Sequence, residues 1–97
     1  PPFGRLAAIV ISGPDKRFAE DFARAFVRAA PREPAITLLG PAEAALAMVR
    51  GRYRYRLLAM APRQLDLQAY LRAWLEQAPR PVKGLRVQVD IDPQHFL

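Results

Sequence analysis

An α+β fold of β-α-β-β-α-β order is predicted for this 97-residue chain by three features of its sequence. Two stretches repeat apolar residues at helical spacing. Four others read as strands, and Pro- or Gly-bearing breaks separate the elements. This is the split βαβ, ferredoxin-like order, a four-stranded sheet with both helices on one face. One domain spanning residues 1–97 is expected at this length.

The elements follow in order. Residues 5–11 (RLAAIVI) are apolar on both faces, as in a central strand, and Ser12-Gly13-Pro14 reads as the turn that stops them. Asp15 is placed to cap a helix whose stripe is Phe18, Phe22 and Phe26, with Ala19, Ala25 and Ala29 beside it. Pro31 ends that helix, and residues 31–34 form a stiff connector. A second strand covers residues 36–39 and meets Gly40-Pro41. Residues 42–49 admit two readings: a bent continuation of that strand, turning at Arg50-Gly51, or a short helix favoured by Ala, Leu and Met. Strand three runs over residues 52–61 and Pro62 closes it. Asp66 is placed to cap a second helix with Leu67, Tyr70, Leu71, Trp74 and Leu75 on one stripe, broken by Pro79-Arg80-Pro81. Last, Leu85, Val87, Val89 and Ile91 alternate with Arg86, Gln88, Asp90 and Asp92, a half-buried strand.

The charge balance narrows the function. Fifteen basic residues against nine acidic ones leave a formal charge of +6, which suits a nucleic acid, an acidic protein or an anionic membrane. Six of the fifteen lie between residues 50 and 72, where Asp66 is the one acid. The densest stretch is Arg50-Gly51-Arg52-Tyr53-Arg54-Tyr55-Arg56. In an extended chain Arg50, Arg52, Arg54 and Arg56 line one face, about 6–7 Å apart, and Tyr53 and Tyr55 point to the other. Such a row suits phosphate, which the guanidinium fork binds bidentately; a solvated strand face that discourages edge pairing is the competing reading. Tyr53 and Tyr55 either pack beneath the helices or stack on bases. With the tyrosines inward, the open face carries the arginines at one end and Leu58 and Met60 at the other.

Catalytic chemistry finds little support. There is no Cys, which rules out disulfides, thiolate metal sites and Cys nucleophiles. The single His95 stands near the end of the chain, and Ser12 has no base beside it in sequence. Asp90 and Asp92 share a strand face and could hold a divalent ion or pair with strand-three arginines. Neither GxxxxGK[ST] nor GxGxxG occurs. No apolar run reaches the length of a membrane span, and no signal-peptide pattern is present, so no membrane partner is expected.

The segments PPFGRLAAIVISG, LLGPAEAALAMVRGRYRYRLL and RVQVDIDPQHFL resemble, in order and over essentially the whole chain, the C-terminal domain of bacterial primosomal protein N′, the PriA replication-restart helicase family. His95 departs from it, standing where a small polar residue is expected. The resemblance implies a piece of a longer chain, starting at Pro1-Pro2 without Met and ending at the family's natural terminus. The parent it implies is an ATP-dependent 3′-to-5′ DNA helicase of superfamily 2, acting at abandoned forks and D-loops in the bacterial cytoplasm and nucleoid. ATP, Mg and Zn would be held by other parts of that parent, leaving no cofactor for this segment. It also implies a fold similar to a small-subunit ribosomal protein of βαββαβ topology, and a role in binding branched DNA and packing on the helicase core. The partners it implies are single-stranded or branched DNA, the rest of the helicase chain, single-stranded DNA-binding protein and other primosome proteins. Roles for Arg50, Arg52, Arg54 and Arg56 rest on charge and spacing alone. An accessory DNA-binding domain is therefore expected first, and a docking module second.

Overall fold

The computed structural model describes residues 4–82 and 84–92, and their side chains except those of 45–47; His95 lies outside the described residues. The elements are β1 (Gly4–Gly13), α1 (Lys16–Arg28), β2 (Thr37–Val49), β3 (Arg52–Pro62), α2 (Leu67–Gln77) and β4 (Arg86–Ile91). They build an α+β fold on an open, antiparallel sheet of order β2-β3-β1-β4. The segment 42–49 is strand, the first of its two readings. Its pairing with β3 slips twice, between Leu39 and Ala42 and between Glu43 and Met48, so β2 bends rather than presenting a flat edge. Gly40 takes φ 102° at the first slip, a conformation that side chains disfavour.

One face of the sheet holds the core. Ala7, Ile9 and Ile11 of β1 and Tyr55, Leu57, Ala59 and Ala61 of β3 point to it, and both helices close over them. Asp15 caps α1 through the amide of Phe18 at 2.8 Å, and Asp66 caps α2 through Ala69 at 3.0 Å, as their positions predict. The α1 stripe differs from expectation. Ala19, Ala23 and Phe26 are buried, whereas Phe18 is 38% exposed. Small side chains let the helix lie close to the sheet, which turns the Phe18 end of the phenylalanine row outward. On α2, Leu67, Leu71 and Trp74 are buried and Leu75 is exposed.

The helices are joined by more than apolar contact. Trp74 Nε1 donates to Phe26 O at 2.8 Å, Tyr70 Oη to Pro31 O at 2.8 Å and Gln77 Nε2 to Ala29 O at 2.6 Å. Three α2 side chains thus satisfy carbonyls at and just beyond the end of α1, groups that a helix terminus otherwise leaves to water.

At the far end of the sheet Asp92 leaves β4 with φ 51°. Its carboxylate accepts from Leu6 N at 3.0 Å and from the Arg5 guanidinium at 3.0–3.1 Å. The Leu6 amide, with Arg5 beside it, holds this carboxyl below the usual aspartate range. β1 lies between β3 and β4; Asp90 stands opposite Ala8, and Asp92 pairs with Arg5 of β1. Among the described residues no three His, Cys, Asp or Glu side chains gather to hold a metal, and no helix is long and apolar enough to cross a membrane.

Candidate nucleic-acid interface

Among the described residues, no helix covers the sheet's other face. Alternation along β3 sends Arg52, Arg54, Arg56, Leu58 and Met60 to it, while Tyr55, Leu57, Ala59 and Ala61 are buried beneath the helices. Tyr55 is 3% exposed, burial pushes its phenol up, and its hydroxyl has no hydrogen-bond partner among the described residues. Tyr53 packs against the same core. Both tyrosines therefore take the packing role rather than the stacking one.

Strand register shows what the arginines face. Ser12 pairs with Arg54 on one side and with Arg86 on the other, and Val10 likewise pairs with Arg56 and Gln88. Arg54 and Arg86 therefore flank β1 in one row, about 10 Å apart at their Cα atoms, two strand spacings. Over this end of the face lies an open depression of about 420 Å³. Arg50, Arg52, Arg54 and Arg86 line it together with Ser12 and Gln88, and among the described residues no carboxylate does. Arg56 shares the face but stands one row beyond, opposite Val10.

Arg50 reaches the depression by another route than the one its spacing suggests. It is not on the strand: Val49 pairs with Arg52, and Arg50-Gly51 form the two-residue turn between them, with φ of 53° and 76°. Two left-handed residues in a hairpin loop suit Asn-Gly, and Arg at the first position is strained. Arg50→Asn should therefore raise stability by about 0.5–1 kcal/mol. The same change removes one charge from the depression and weakens polyanion binding. Thermal melts and binding isotherms of this single variant check both halves; a lower melting temperature would contradict the first.

Arg52 is held. Its Nε donates to Ser12 Oγ at 3.2 Å, and its Nη2 donates to Ser12 O at 2.9 Å and Gly84 O at 2.6 Å. Ser12, expected in a turn, lies within β1 and forms part of the floor of the depression. Sequence reasoning missed Arg86, Gln88 and Ser12 as members of the site. The alternation of β4 already put Arg86 and Gln88 on its polar side; only the strand order puts that side beside Arg54.

The other end of the face is apolar. Leu39 and Met60 are 47% and 44% exposed, and a hollow of about 330 Å³ opens beside Met60, Thr37, Arg5 and Pro62.

Comparison with known proteins agrees with the resemblance read from the sequence. Residues 1–94 match the family described as primosomal protein N C-terminal domain. The chain is 38% identical over 96 residues to the replication restart protein PriA of Rickettsia felis, covering 99% of this chain and 14% of that protein. It is 37% identical over 101 residues to the probable replication restart protein PriA of Deinococcus radiodurans, covering 97% of this chain and 10% of that protein. With the replication restart protein PriA of Treponema pallidum it shares 34% identity over 99 residues, covering 100% of this chain and 15% of that protein. The chain thus spans about a seventh or less of the length of these relatives.

Proposed function

We propose a function on one premise: the chain belongs to the primosomal protein N C-terminal domain family. It acts as the accessory DNA-binding domain of a replication-restart, ATP-dependent 3′-to-5′ DNA helicase. The basic end of its open sheet face lies against the phosphate backbone at stalled forks or D-loops. One observation carries this reading. Arg50, Arg52, Arg54 and Arg86 converge on a depression that no carboxylate of the described residues lines, in a chain of net charge +6. Phosphate contacts of this kind hold DNA in place and carry little sequence information. The strand order β2-β3-β1-β4 supports assigning the fold to the ferredoxin-like arrangement. ATP, Mg and Zn are assigned to the parent helicase outside this segment, and the setting to the bacterial cytoplasm, on the nucleoid.

Among the described residues the face has no stacking platform, since their aromatic rings belong to the helices or to the inward side of β3. A stacked base contributes roughly 1–3 kcal/mol in single-strand binders, so the reading makes a sharp prediction. An abasic phosphodiester strand should bind within about threefold of a mixed-sequence strand of equal length, by fluorescence anisotropy at moderate salt. A loss beyond about tenfold would place bases on Tyr53 or another ring and overturn backbone-only contact.

The exposed Leu39 and Met60 and the hollow beside them favour a second, compatible reading for the opposite end of the face. There the domain docks on the helicase lobes or on a protein partner, such as single-stranded DNA-binding protein or another primosome protein. If the isolated domain fails to bind DNA while Met60→Asp in the full chain uncouples its ATPase from DNA, docking is the better account of the whole face.

A further inference from the structure

The four arginines of the basic face do not stand in equivalent surroundings. The guanidinium of Arg52 directs three N–H groups at Ser12 Oγ, Ser12 O and Gly84 O. It thereby ties the start of β3 to the end of β1 and to the loop that enters β4. Gly84 has φ 82° and precedes Arg86 by two residues. Ser12 is the residue that Arg54 and Arg86 flank. Because Ser12 Oγ already accepts from Arg52, its own O–H is left to donate, and Ser12 lines the depression that Arg54 and Arg86 also line.

We propose that Arg54 and Arg86 form the two walls of a seat for one phosphate of a single phosphodiester backbone, with Ser12 on its floor, and that Arg52 is the positioning residue that holds Arg86 opposite Arg54. The inference rests on the phosphate-binding reading above and deepens it. Arg52 acts through geometry: it fixes where β4 begins, and so the distance across the seat. Its charge adds to the field without a phosphate of its own.

The test measures affinity and salt slope for a short single strand on the 97-residue chain, using Arg54→Gln, Arg86→Gln, Arg52→Gln, Arg52→Lys and the Arg52→Gln/Arg86→Gln double variant. Loss of one phosphate contact to a single strand flattens the slope of log K against log salt by about 0.7. That is the change expected for Arg54→Gln and for Arg86→Gln. Arg52→Gln should weaken binding as much as Arg86→Gln does. The double variant should bind within about twofold of Arg86→Gln alone, because a misplaced Arg86 and an absent one are equivalent. Arg52→Lys keeps the charge but loses the fork, so it should behave like Arg52→Gln and shift the amide resonances of residues 84–88. It also serves if Arg52→Gln does not fold. Additive losses in the double variant would make Arg52 a phosphate ligand and overturn the proposal, as would wild-type affinity in Arg52→Lys. If Arg54→Gln and Arg86→Gln also bind as wild type, the phosphate-binding reading itself falls. If Arg54→Gln and Arg86→Gln weaken binding while Arg52→Gln does not, only the positioning role falls.

Discussion

Trp74→Ala is expected to abolish cooperative folding near physiological temperature. Trp74 is fully buried, its ring lies 5.3 Å from that of Phe26 and 5.9 Å from that of Tyr70, and its indole N–H binds Phe26 O. Truncating a buried Trp costs about 3–5 kcal/mol, a large share of the 5–15 kcal/mol that typically holds a domain together. The lost indole hydrogen bond adds to this, and Phe26 O keeps only its 3.2 Å contact from the Ala29 amide. In a domain of this size each kcal/mol shifts the melting temperature by roughly 4–8 °C. A fall of at least about 12 °C should follow in a thermal melt. Trp74→Phe keeps most of the volume and loses the donor, and should cost about 1–2 kcal/mol. A Trp74→Ala domain that melts within about 5 °C of wild type would show that the helices are held together elsewhere.

The joint between the helices also shows how far the sequence could be read. Spacing alone placed Leu67, Leu71 and Trp74 on the buried stripe of α2, and Asp15 and Asp66 on the caps. These signals are local: each depends on residues within a turn or two. That Trp74, Tyr70 and Gln77 would reach the carbonyls of Phe26, Pro31 and Ala29 was not legible, since it depends on how two distant elements pack. Phe18 was misplaced for a related reason. Helical period marks an apolar arc but not its centre, and the close approach of α1 to the sheet selected Ala19 and Ala23.

The candidate site divides the same way. Alternation in RGRYRYR correctly separated the inward tyrosines from the outward arginines of β3. It could not show that Arg50 belongs to a left-handed turn, nor that Arg52 spends its fork on backbone carbonyls. Arg86 was hidden for a topological reason. Some 32 residues separate it from Arg54, and they become neighbours only because β1 inserts between β3 and β4. The row of four charges read along one strand is, in space, a cluster drawn from a turn and two strands.

Charge removal at this cluster has the largest expected effect on function. Replacing Arg50, Arg54, Arg56 and Arg86 with Gln spares Arg52, and with it the contacts that tie β1, β3 and the loop before β4. If Arg50, Arg56 and the Arg54–Arg86 pair each neutralise one phosphate of a single strand, the wild-type slope of log K against log salt has a contribution of about −2 from this face. Between 50 and 200 mM salt that contribution alone weakens binding by roughly 20-fold. The variant should lose most of its affinity at low salt and nearly all of its salt dependence. Its melting temperature should hold or rise, because four mutually repelling charges have been removed. The decisive measurement is this salt slope, taken by anisotropy with a short single strand on wild type and variant. A slope near −2 that flattens toward zero in a folded variant is the predicted result. An unchanged slope and affinity in a variant that melts like wild type would contradict the claim that the open face of the sheet grips the phosphate backbone.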